Sequence, residues 1–141
     1  MSYLSVARTA IIAKAAGVNG IRGAFPRVPE TIPATPAVVL GQMTWTTIPG
    51  DRERTTYTFD LLLYVERTST DDRVISTTDD LVDLIQAAYA SGITLGQGGQ
   101  TTQCVIRGGS SNEWVSIGEA LYLVTKFQLE LSSSRQRGYT A

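Results

Sequence analysis

The chain of 141 residues contains no histidine. That removes the commonest general base and the commonest transition-metal ligand. It has one cysteine, Cys104, so no disulfide forms within the chain. A zinc site or a Ser/His or Cys/His catalytic unit is also beyond its own residues. A lone thiol fits a reducing compartment. Acid–base chemistry would fall to carboxylates, Lys or Tyr. Charge of one sign is missing too: 12 Lys and Arg face 13 Asp and Glu, a formal net of −1. There is no basic field for nucleic acid and no acidic tail. No apolar run is long enough to span a bilayer. The opening MSYLSVARTAIIAKAAG has a leader-like texture, but Arg8, Thr9 and Lys14 interrupt it and no basic segment precedes it. It is read as a helix of the mature protein.

The length and 43% hydrophobic content fit one globular domain over residues 1–141. Thr55–Glu66 is its clearest organising stretch. Tyr57, Phe59, Leu61, Leu63 and Val65 alternate, so they share one face of a strand. The other face is polar except at Leu62 and Tyr64. After a polar break, a helix is expected over Asp79–Ala90, capped by Thr77 or Thr78, with Leu81, Leu84, Ile85 and Ala88 as its buried stripe. Asp79, Asp80 and Asp83 suit the positive end of that helix and need no catalytic role.

Elsewhere, Ser2–Ala16 reads as a helix with Leu4, Ala7, Ile11 and Ala15 on one stripe. Gly17 is placed to close it in a left-handed conformation. Residues 17–36 hold four of the five prolines and form an irregular connection. It is either a strap on its own subunit or an arm to a neighbour. Ala37–Trp45 is a strand, followed by Pro49-Gly50 and the charged tip Asp51, Arg52, Glu53 and Arg54. With Thr55–Glu66 it makes an antiparallel hairpin with an extended loop. The glycines at 96, 98 and 99 lack the spacing and following helix of a phosphate cradle. Thr101–Gly109 is a short strand in which Cys104 is a buried apolar residue. GSSNEW then turns the chain. Ile117–Leu131 is a long strand with Leu121, Leu123, Phe127, Leu129 and Leu131 on one face and Tyr122, Val124 and Lys126 on the other. Residues 132–141 are a polar tail carrying Arg135 and Arg137.

Strand runs with inserted helices give an α+β fold. The expected object is a roughly four-stranded, mainly antiparallel sheet with two helices on one face. Leu62, Tyr64, Tyr122 and Val124 make the opposite face apolar enough to be a candidate interface. Arg52 and Arg54 at the hairpin tip, and Arg135 and Arg137 in the tail, are candidate polar contacts.

This order of elements resembles the tail terminator, or tail-to-head joining, proteins of long-tailed bacteriophages. The resemblance rests on the helix closed by GVNGIRG, the approach TIPATPAVVLG, the strand TYTFDLLLYVE, the helix DDLVDLIQAAYA and the strand ALYLVTKFQLEL. It implies a non-enzymatic virion protein at the neck, without cofactor or metal, assembled in the host cytoplasm. It implies a homo-oligomeric ring, typically a hexamer, that caps the tail tube and stops its polymerisation. Such a ring meets the tail tube protein on one side and the head connector or stopper protein on the other. DNA passes its lumen without specific binding, and no membrane is involved. A head-completion or connector protein is the nearest alternative. A small ligand-binding domain using the aromatic face is a more distant one.

Overall fold

The computed structural model describes residues 3–27, 29, 32–50, 52–68, 70–90 and 101–136. The elements run α1 (Tyr3–Ala16), β1 (Gly23–Phe25), β2 (Ala37–Ile48), β3 (Arg52–Glu66), α2 (Asp71–Ala90), β4 (Thr101–Ile117) and β5 (Ala120–Gln136). The fold is α+β. The strands form one mixed sheet in the order β1-β2-β3-β5-β4. β1 lies parallel to β2, and the other pairings are antiparallel.

The alternation in β3 builds the core. Phe59, Leu61, Leu63 and Val65 face both helices, together with Leu123, Phe127, Leu129 and Leu131 of β5. α1 contributes the stripe Ala7, Ile11 and Ala15, as its spacing predicts. Small residues at two of these positions allow close approach to the sheet. α2 contributes Val74, Leu81, Ile85 and Tyr89. The Tyr89 hydroxyl donates to the Ile11 carbonyl at 2.7 Å and ties the two helices together.

Several expectations are corrected. Among the described residues the sheet has five strands, more than the expected four, and Gly23–Phe25 pairs with Ala37–Val39 inside the connection expected to be irregular. Gly17 does not take the left-handed conformation; Gly20 does, at φ 97°. α2 starts at Asp71, well before the expected Asp79. The Thr70 carbonyl accepts from the Arg73 and Val74 amides, and Asp71 and Asp72 supply the first-turn negative charge. Thr78 is therefore no cap; buried in mid-helix, it donates to the Val74 carbonyl at 2.8 Å. Leu84 is 43% exposed and outside the buried stripe, which Tyr89 and Val74 complete instead.

Strand ends were misplaced for a common reason. Thr, Ser and Arg at the strand ends read as loop, yet cross-strand pairing carries through them. β2 and β3 stay paired to Ile48↔Arg54, so the expected extended loop is ladder almost to its tip. β4 passes through the expected GSSNEW turn, and the chain reverses at Gly118-Glu119, where Gly118 has φ 63°. Positive φ at the first turn residue alone is the type II′ pattern. Ser132–Gln136, expected as tail, is strand paired to β3.

A bulge in β2 sets the phase of the site described next. The register slips between Leu40, opposite Leu61, and Met43, opposite Phe59. Three residues apart, Leu40 and Met43 would otherwise lie on opposite faces. The slip brings both, and hence Trp45 two residues on, to the helix side. Gly41 sits at the slip, where an added Cβ would lie 3.3 Å from the Asp60 carbonyl oxygen.

Candidate assembly interface

The sheet is longer than the helices that cover it. Along the ladder, Trp45, Tyr57, Leu131 and Cys104 stand at one level. Tyr57, Met43 and Leu131 are the last described sheet side chains, going toward the hairpin tip, to join the helix-side core. Arg8 of α1 closes the core beside them, with its guanidinium carbon 5.4 Å from the Phe59 ring centre. The strands run on: β2 to Ile48, β3 back to Arg52, β5 to Gln136 and β4 from Thr101. From Tyr57 to Arg52 this bare end extends about 16 Å. It bears hydroxyls rather than apolar stripes, and the Thr47 and Thr55 hydroxyls pair at 3.2 Å. Two large apolar side chains interrupt it. Trp45 is 65% exposed and Ile48 59% exposed. One faces the helix side and the other the opposite side, by the alternation of the strand.

The face opposite the helices is divided in three. Nearest β1, Val39, Tyr64 and Tyr122 are buried, with Phe25, Ile32, Leu62, Ile117, Ala120 and Val124 packed against them. Tyr64 and Tyr122 meet edge to face, with ring centres 6.0 Å apart. Both phenols have raised pKa values; burial is the cause at Tyr64, and burial then the charge of Glu66 at Tyr122. Next comes a belt of exposed ion pairs, Lys126 with Asp60 at 3.4 Å and Arg107 with Glu130 at 3.5 Å. Last is the bare end, with Thr44, Thr46 and Arg54 exposed.

The eight residues singled out from the sequence thus do not form one site. Tyr64 and Tyr122 are covered within the subunit, and Leu62 and Val124 are partly buried beside them. The strand pattern could not reveal this, because the cover comes from Phe25 and Ile32 across a proline-rich connection. Arg54 is exposed ten residues from Tyr64 on the same strand, about 33 Å away. The backbones of Arg52 and Arg135 lie at the bare end, opposite Gln136 and Glu53. Their side chains, that of Cys104, and all of Arg137 lie outside the described residues. Trp45 and Ile48 were missed. Trp45 closed an apolar run that read as buried, and nothing local shows that the helical layer stops short of it.

Both sheet edges reach the bare end. β1 covers β2 only at Ala37–Val39, and among the described residues nothing pairs with the outer edge of β2 beyond that point. Among the described residues, β4 is the opposite edge along its whole length. The uncovered stretches MTWTTI (43–48) and TTQCVI (101–106) contain no charged residue and no proline. Those are the devices that usually keep edges from pairing.

A shallow groove of about 560 Å³ lies between the helices, lined by residues including Val18, Leu84 and Ala88. Its lining is mostly apolar, with Lys14 and Asn19 as the polar side chains among the described residues, and holds no cluster of acid–base groups. No described helix is long and apolar enough to cross a membrane. No protein-family model matches the chain, and comparison with curated proteins returns no match.

Proposed function

We propose that this chain is a structural virion-assembly protein of the tail terminator kind. In this reading it is the subunit of a homo-oligomeric ring, of six copies, that caps a phage tail tube and joins it to the head connector. The observation that carries the reading is the bare end of the sheet. Among the described residues, a four-stranded extension with Trp45 and Ile48 exposed has both edges open and neither face covered by a helix. Such a surface is costly to leave in water and is useful for protein contact. The order of elements, with the proline-rich strap before the hairpin, adds the family resemblance. A ring needs two unlike patches on each subunit, and the two sheet edges are unlike.

The hydroxyl-rich extension also suits a channel through which DNA slips. Each Lys or Arg contact to phosphate adds salt-dependent affinity that would hold the duplex. Thr44, Thr46, Thr56 and Thr58 make no such contact. At the tip, Arg52 and Arg54 would meet carboxylates of the tail tube protein or of a neighbour, contributing orientation and encounter rate more than affinity.

Electron microscopy of the protein mixed with tail tubes tests this. Rings seated on tube ends, with tube growth arrested, are the expected result. Rings bound only to portal vertices would reassign the chain to the connector, and no binding to either would remove the reading. In phage, Arg52→Ala with Arg54→Ala should leave the fold intact and lower the yield of joined particles. Full complementation by that double variant would make the tip a solvated turn only.

A further inference from the structure

We infer that the outer edge of β2 over Met43–Ile48 pairs with the outer edge of β4 over Thr101–Ile106 of a second copy of this chain. The sheets of successive subunits then continue into one another through main-chain hydrogen bonds. The inference rests on the ring reading for its biological setting and on the sheet geometry for its substance.

Three observations carry it. The first is coincidence in height. Through the registers Trp45↔Tyr57, Tyr57↔Leu131 and Leu131↔Cys104, the open part of β2 and the first residues of β4 lie at the same level, on opposite sides of one sheet. A neighbour related by rotation about an axis along the strands brings one beside the other. The second is parity. At the bare end the sheet has four strands, β2, β3, β5 and β4, each antiparallel to the next. β2 and β4 therefore run in opposite directions, and a β4 placed beside β2 by such a rotation is again antiparallel. With an odd number of strands the joint would be parallel. The third is the absence of guards. Arg107 and Glu113 are the only charged residues of β4, and both lie beyond the stretch at the joint. The register slips of β4 also lie beyond it, between Ile106 and Gly108 and between Ser110 and Glu113. Further along β2, β1 occupies the edge. The joint is thus confined to the end that lacks helices, and the helical layers of adjacent subunits do not have to interpenetrate.

The pairing is head to tail. It uses two different edges, so it propagates until rotation closes it, and it buries the row of unpaired amides and carbonyls that each edge otherwise presents.

Disulfide trapping in the full-length chain tests the joint. In a Cys104→Ala background, Thr44→Cys is combined with Val105→Cys, which the registers through Thr58 and Glu130 place at one level, and each is also made alone. The double variant should give a ladder of covalent oligomers under mild oxidation, and each single variant should stay monomeric on denaturing gels. Strong dimer formation by Thr44→Cys alone would show β2 paired with β2 and overturn the inference. A ring present by native mass with no cross-linking at Thr44/Val105 or at adjacent pairs would overturn the joint and leave the ring standing. A protein monomeric at every concentration and never cross-linked would remove both. As a second readout, Thr44→Lys with Thr46→Lys puts charge on the edge strand at two exposed positions. It should abolish oligomers with monomer melting unchanged; oligomers retained at wild-type strength would count against the joint.

Discussion

The covered body of the sheet and its bare end are made from the same four strands and obey different rules. In the body, β3 reads FDLLLYV. Phe59, Leu61 and Leu63 pack under two helices, while Tyr64 is roofed by neighbours that include Phe25. At the end, the same strand reads RERTT, and its partners are TTI and SSS. The body is stabilised by apolar burial. The end is held mainly by ladder hydrogen bonds, each of which contributes only about 0.5–1.5 kcal/mol net. A short polar extension of this sort is marginal alone. In the proposed ring, this extension, with Trp45 and Ile48 exposed on it, is the part that meets a neighbour.

Substitutions can break that contrast at either side. The largest loss is expected in the body: Phe59→Ala or Ile85→Ala should lower stability by about 3–5 and 2–5 kcal/mol respectively, by cavity formation at fully buried positions. Denaturant titration would measure this. Gly109→Ala should come next. Its Cβ would lie 2.6 Å from the Lys126 carbonyl oxygen, so β4 must shift from β5, and hydrogen exchange of β4 amides should rise with that of α1 unchanged.

High pH should loosen the roofed face. The Tyr64 and Tyr122 phenols titrate above their ordinary value in the folded chain. The unfolded chain therefore releases these protons first. The contribution is fully present below about pH 10, the unfolded tyrosine value, and is lost as pH rises through the folded values. Melting followed upward from pH 9 should show the fall, and Tyr64→Phe with Tyr122→Phe should reduce it.

The smallest effects on monomer stability are expected where exposure is greatest. Leu84→Ala and Trp45→Ala should each change it by no more than about 1 kcal/mol. Trp45→Ala should nevertheless weaken self-association measured by sedimentation, whereas Leu84→Ala should not.

Much of the body was legible in the sequence because period-two alternation names the buried face directly. Phe59, Leu61, Leu63, Leu123, Phe127, Leu129 and Leu131 are all where that rule puts them. The stripe of α1 was equally plain. The ends were not legible. Ser and Thr have no strong local preference for loop over strand once a partner strand lies alongside, so Ser132–Gln136 passed for a tail. Asp71 and Asp72 passed for a break, although acidic residues are what a helix start favours. The bulge at Gly41 shifted the phase of β2, and its marks in the sequence are only the lone glycine and the change of parity from Leu40 to Met43. The roof over Tyr64 and the exposure of Trp45 are tertiary facts, set by where a distant segment lands and where a helix stops.

The central claim is that the bare end joins copies of this chain into a closed ring. Native mass measurement of the full-length protein across a wide concentration range, alone and on assembled tails, tests it most directly. A single closed oligomer, of six copies, that dissociates to monomer on dilution without larger open chains is the expected result. Monomer at every concentration and in assembled particles would contradict the claim.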